Sequence, residues 1–229
     1  MDAASRTART AGWVYALNIA TGIFSLLYVP SQIMVHGDAS ATFDHIVASE
    51  FLFRWGIVAG VVCQASFLLL PLILYRLLGS VSRNAAVLMV AFAVVAVPID
   101  IVAIANQVDV LTLLHDAAGQ RALGVDAFHA RVLAALAAYN NRLLVVQFFW
   151  GLWLLPFGYL VFKSDFLPRV LGLLLMLGCF SYLVSFFADT LFPHYDLPGF
   201  VMLPASLGEF ATALWLIIVG ARRSLIERR

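Results

Sequence analysis

Residues 55–105 decide the fold: WGIVAGVVCQASFLLLPLILYRLL (55–78), GSVSR (79–83) and NAAVLMVAFAVVAVPIDIVAIA (84–105). A helix needs about 20 predominantly apolar residues to cross the hydrocarbon core of a bilayer. Both long runs meet that length, and inside them only Arg76 and Asp100 are formally charged. Between them, Gly79, Ser80 and Ser82 are turn formers. The stretch therefore reads as a helix that crosses, turns in about five residues and crosses back.

The same reading extends in both directions. Apolar stretches at about 11–34, 55–78, 84–105, 143–162, 170–192 and 199–220 give six expected spans, and the whole of 1–229 reads as a single transmembrane domain. The joints agree. Lys163 to Arg169 contains Pro168 near a helix start, and Pro193 to Pro198 forms another short connection. Hydrophobic residues make up 63% of the chain and charged residues 12%, with a mean hydropathy of +0.96. Soluble domains carry about 25% charged residues, so lipid is the expected solvent. The expected class is all-α: an integral membrane bundle of six transmembrane helices.

Basic residues orient the bundle. The N-terminus, Arg76 with Arg83, Lys163 with Arg169, and Arg222, Arg223, Arg228 and Arg229 place 10 Lys and Arg on one side, against 4 on the other (Arg54, Arg121, Arg131, Arg142). The positive-inside rule then puts both termini in the cytoplasm. Arg6 and Arg9 precede an apolar run with no convincing small-x-small cleavage site, so the first helix reads as an uncleaved anchor. An extra outer-side helical segment is expected between helices three and four. Asp126 is its expected N-cap, and residues 126–142 either form a separate outer helix or extend helix four.

A net charge of +1, with no basic cluster interleaved with aromatics, gives no support for a nucleic-acid partner. Cys63 and Cys179 fall inside spans without CxxC spacing, which argues against a disulfide framework or zinc ribbon. No P-loop, GxGxxG or GxSxG motif occurs. Outer-side histidines (His36, His45, His115, His129, His194) lie near Asp38, Asp44, Asp189 and Asp196, but no HxxxH or HExxH spacing puts two on one helical face, so no metal is assigned. The sequence names no cofactor and no oligomeric state, although Gly56 and Gly60 form a GxxxG that suits close helix packing.

Ionisable residues inside spans are costly and usually face a partner or water within the bundle. Asp100, Asp189 and Glu209, with Arg54 and Arg142, all fall in the expected outer half. Polar stripes point to the same layer: Ser181, Tyr182, Ser185 and Asp189; Ser206, Glu209 and Thr212; Asn18, Thr21, Gly22 and Ser25; with Gln64 and Gln147 as further members. Pro98 and Pro204 stand near carboxylates, and Pro71 and Pro156 interrupt helices two and four.

One reading is a polar cavity open to the outer side, lined by carboxylates, that binds or transports a small molecule, lipid or ion. A second is a membrane enzyme in which a carboxylate acts with an outer histidine such as His194. A third is a structural or regulatory subunit whose charged layer fixes helix register. There is also a hairpin echo, with Arg54, a basic turn and Asp100 in one pair and Arg142, a basic turn and Asp189 in the next. Duplication and the positive-inside rule both produce that pattern.

The segments ARTAGWVYALNIATGIF (8–24), GDASATFDHIVASEFLFRWGIVAG (37–60), YLVFKSDFLPRVLGLLLMLGCFSYLVSFF (159–187) and LPASLGEFATALWLIIVGAR (203–222) resemble the bacterial membrane family called domain of unknown function 4386. The most specific stretches are the Phe166-Leu167-Pro168-Arg169-Val170-Leu171-Gly172 turn and Gly208-Glu209. The resemblance covers nearly the whole chain, implies six helices in a bacterial cytoplasmic membrane, and assigns no catalytic residue.

Overall fold

The computed structural model describes residues 3–35, 37–192 and 194–221. His36, Pro193 and the basic residues Arg222, Arg223, Arg228 and Arg229, which bear on the outer histidines, the third turn and the orientation, lie outside them. The described residues are helical, without strands. In chain order they form α1 (Ala3–Ile33), α2 (Ala39–Ala48), α3 (Glu50–Leu78), α4 (Arg83–Leu114), α5 (Ala117–Leu123), α6 (Val125–Lys163), α7 (Arg169–Leu191) and α8 (Gly199–Ile218). All but α2 and α5 are long and apolar enough to cross a membrane, which makes six. Large apolar side chains stand exposed along them, Trp13, Phe51 and Ile218 among them. Such exposure suits a surface solvated by lipid rather than water.

Several helices overrun the expected spans. α4 continues to Leu114, and α6 begins at Val125, so residues 126–142 belong to the same helix as 143–162. Asp126 is not the N-cap. Gly124, with φ +80°, ends α5 and lets α6 start at the next residue, which places Asp126 in the first turn beside the positive end of the helix dipole. The capping carboxylates are instead Asp116, which accepts from the Gly119 amide at 2.8 Å, and Asp38, which accepts from the Ala41 amide at 2.9 Å.

Pro71, Pro98 and Pro156 sit inside continuous helices. Pro204 does not interrupt one. It follows a 3-10 turn (Gly199–Met202) and occupies the first turn of the α-helical part of α8, where a missing N–H costs nothing. Within α1, residues Phe24–Tyr28 form a π-helical turn, closed by the Val29 amide on the Phe24 carbonyl. Pro30 supplies the physical reason: its ring crowds the carbonyl four residues back and brings no N–H, and a widened turn relieves both.

The chain divides into two compact units. Unit 1 comprises residues 1–17, 65–97 and 144–229, and unit 2 comprises 18–64 and 98–143. Unit 2 has an apolar core that includes Val29, Ile46, Phe53, Ile104, Phe128 and Leu136. A polar clasp closes its first loop: the Thr42 hydroxyl donates to the carbonyls of Val35 and Asp38 and accepts from the Val35 amide.

Unit 1 is packed backbone to backbone through glycines. A Cβ on Gly158 would come within 2.6 Å of the Gly172 carbonyl oxygen, one on Gly172 within 2.5 Å of the Phe162 amide nitrogen, and one on Gly12 within 2.7 Å of the Ile217 amide nitrogen. In lipid, apolar side chains gain little by leaving the solvent, so close approach and dispersion contacts carry helix association. Gly172→Val should therefore lower the melting temperature in detergent by an amount matching about 1–3 kcal/mol or more, since backbone must move. Gly199→Ala is the control, because nothing lies within 4 Å of its added Cβ. Equal melting curves for the two variants would contradict this packing.

Candidate functional site

The residues expected to bear function fall into both units. Gln64, Asp100, Arg54 and Arg142 are in unit 2, while Glu209, Tyr182, Asp189 and Gln147 are in unit 1.

In unit 2 the central element is a buried pair. Gln64 of α3 and Asp100 of α4 are each only 3% exposed, and the Gln64 Nε2 donates to the Asp100 Oδ2. The other end of the Gln64 amide, Oε1, is buried and has no hydrogen-bond partner among the described residues. Beside the pair lies a small cavity, leaving about 10 Å³ for the centre of a water-sized sphere, which is room for about one water. Its wall includes Ser25 and Leu26 from the π-helical turn, Cys63, and Tyr139 of α6. Asn18 fastens the first helix to α3 here, its Nδ2 donating to the Cys63 carbonyl at 2.9 Å and to its sulfur at 3.3 Å.

Tyr139 also lines a second, larger cavity of about 470 Å³, with Val29, Ile33, Phe53, Leu136, Gln107 and Asn140. Tyr139 and Gln107 are both buried. The wall is thus mostly apolar with a few convergent polar groups, and its size falls in the range of about 300–1,000 Å³ usual for small-molecule sites. A shallower cleft of about 570 Å³ lies between turns of unit 1, lined by Ser80, Tyr159, Lys163 and Asp165. It is larger, but it is an open cleft between the end of α6 and the turns at Ser80 and Asp165.

Arg54 is exposed and bonds Glu50 at 2.6 Å, one helical turn back, while His115 lies 3.1 Å from the same Glu50 oxygen. It thus meets Glu50 and His115 rather than Asp100. Arg142 is half-buried and donates to the Ala138 carbonyl of its own helix.

In unit 1, Glu209 is held between two phenols. Tyr15 donates to its Oε2 at 3.1 Å and Tyr182 to its Oε1 at 3.2 Å. Tyr15 is fully buried against an aromatic group, edge-on to Trp153 at 6.1 Å, and Trp153 in turn stacks on Phe157 and meets Phe67 edge-on. Ser185 contacts the Met202 sulfur. Asp189 and His194 are exposed, and Gln147 is half-buried. Among the described residues no three His, Cys, Asp or Glu side chains gather as a metal site.

Tyr15, Tyr139 and Gln107 are the groups that sequence reasoning missed. Tyr15 stands one turn before Asn18 on the polar stripe of α1, and Gln107 two turns after Asp100 on α4. Extending the stripe of α1 by a turn, and reading two turns on from Asp100, finds both. Tyr139 carries no such signal, because its helix is apolar and polar by turns well beyond one span.

Together these features define a class, a multi-pass helical membrane protein with polar side chains buried among its spans. The chain belongs to the family described as domain of unknown function (DUF4386), whose model matches residues 10–220. It is also similar to a protein of Archaeoglobus fulgidus described as "Uncharacterized protein", at 27% identity over 154 residues, covering 66% of this chain and 75% of that one. No solved structure matches.

The Glu209 bracket can be measured. A double-mutant cycle of Tyr15→Phe and Glu209→Gln should give a coupling of about 0.6–1.7 kcal/mol, the range found for hydrogen bonds inside membrane helices. Unfolding in mixed micelles reads it, and a coupling of zero would mean that the phenol merely packs beside the carboxyl group.

Proposed function

We propose that this protein binds a small amphipathic molecule in the 470 Å³ cavity of unit 2, with its apolar body against Val29, Phe53 and Leu136 and its polar end at Tyr139 and Gln107. The observation that carries the reading is the lining: an apolar wall that includes two buried polar side chains, Tyr139 and Gln107. Such a wall rewards a ligand with both characters and discriminates against either alone. The molecule enters from the outer leaflet of a bacterial cytoplasmic membrane, with both termini cytoplasmic, as the 10 to 4 distribution of Lys and Arg supports. The helical overrun of α4 and α6 and the short α5 then stand on the outer side. For unit 1 the Glu209 bracket favours a structural role, since both carboxylate oxygens are already engaged by phenols.

Native mass spectrometry of protein released from mild detergent tests the binding reading. Wild type should retain a small-molecule or lipid adduct. Ser31→Trp, which fills the cavity from an exposed position, should lose it, and Tyr139→Phe should weaken it by about tenfold, equivalent to about 1.4 kcal/mol. A clean apo mass for all three would discard it. Orientation has its own check: a fluorescent protein fused after Arg229 should mature and glow, whereas a periplasmic phosphatase at the same point should be inactive.

A further inference from the structure

We propose that the small cavity beside Asp100 and Gln64 is a site for one dehydrated monovalent cation of about the size of sodium, for which a proton competes. This does not rest on the amphiphile reading, because the two cavities are distinct and only Tyr139 lines both.

Charge balance comes first. Asp100 is nearly fully buried in a long apolar helix, where it accepts from the neutral amide of Gln64. A carboxylate in such surroundings needs a balancing positive charge, either covalently bound as a proton or coordinated as a cation. No Lys or Arg lines the cavity. The titratable groups facing Asp100 from the packed elements are Cys63 of α3 and Tyr139 of α6, and neither supplies a positive charge.

Oxygen donors come next. A hard cation takes oxygen ligands, and Gln64 presents a buried Oε1 with no partner among the described residues. The π-helical turn adds backbone. Pro30 has no N–H to give the carbonyl of Leu26 in the α register or of Ser25 in the π register. Both residues are in the cavity wall. Unwound or widened helical turns that release carbonyls beside a carboxyl group are how membrane proteins bind sodium without water. The cavity also sets size: space for one water-sized sphere admits sodium or lithium and excludes choline.

Binding is an exchange: the protonated Asp100 carboxyl group releases H⁺ as Na⁺ is coordinated, with no change in total charge. Thermal unfolding in detergent, followed by tryptophan fluorescence in sodium, potassium or choline chloride at equal ionic strength between about pH 6 and pH 9, tests it. Sodium should raise the wild-type Tm over choline by about 3–5 °C at a concentration tenfold above its dissociation constant. The increment should grow with pH as the competing proton is removed, and Asp100→Asn should abolish it. Gln64→Leu, which keeps the carboxyl group but removes Oε1, should weaken sodium by at least tenfold, so the site remains testable if Asp100→Asn fails to fold. A wild-type Tm that is equal in sodium, potassium and choline at every pH would overturn the proposal. So would a sodium increment retained in both variants, which would leave the cavity to a structural water.

Discussion

Hydrocarbon offers no hydrogen-bond partner, and nearly everything in this structure follows from that. Each backbone N–H and C=O within the membrane must be satisfied along the chain itself, which selects helices and lengthens them until they reach a polar medium. Each charged or amide side chain placed among them must find its partner in the protein. Glu209 receives two phenol protons, Asp100 an amide proton, and Glu50 an arginine with a histidine at the exposed start of α3. Three carboxyl groups thus have three different kinds of partner.

The same constraint decides what holds the helices together. Leucine against leucine gains little over leucine against lipid, so contacts that bring backbones close become decisive. Gly158 and Gly172 meet where any larger residue would drive a Cβ into backbone, and Gly12 does the same against Ile217. In unit 2 the approach is looser. Gly56 faces Val29 and Gly60 faces Ile104 at 3.0–3.2 Å from an added Cβ, with side chains rather than backbone opposite. That looser packing accompanies the cavities, since glycine-to-backbone contact leaves no room for either.

Sequence reading reached the six apolar helices, because hydropathy over about 20 residues reports directly on the solvent a segment prefers. It stopped α4 short, and left 126–142 open between a separate helix and an extension of helix four, for the same reason: the signal fades where the helix leaves the apolar zone, although hydrogen bonding continues to Leu114 and back to Val125. The cost of charge in a span and the polar stripes singled out Asp100, Gln64, Tyr182 and Glu209 as interior candidates, and on the same ground Asp189, which is exposed. Neither paired them, because pairing depends on which helices are neighbours. For Arg54 the partner was one turn away, in Glu50, at a position too near the helix end to register as part of a span. Tyr15 and Tyr139 were passed over since a tyrosine in an apolar run reads as bulk, and only its packed position shows where the hydroxyl goes.

The π-helical turn at Phe24–Tyr28 has a further consequence. It amounts to one residue more than a plain α-helix of the same rise would contain. Loss of a single codon within it removes that extra residue and lets the α register run through, with Val29, Pro30 and Ile33 still on the faces they occupy. Residues Ala3–Ile23 keep their own faces. A deletion at this turn would therefore alter only the local wall that Ser25 and Leu26 give the small cavity, whereas a deletion in the plain α-helical part, with no extra residue to absorb it, would turn everything beyond it by about 100°.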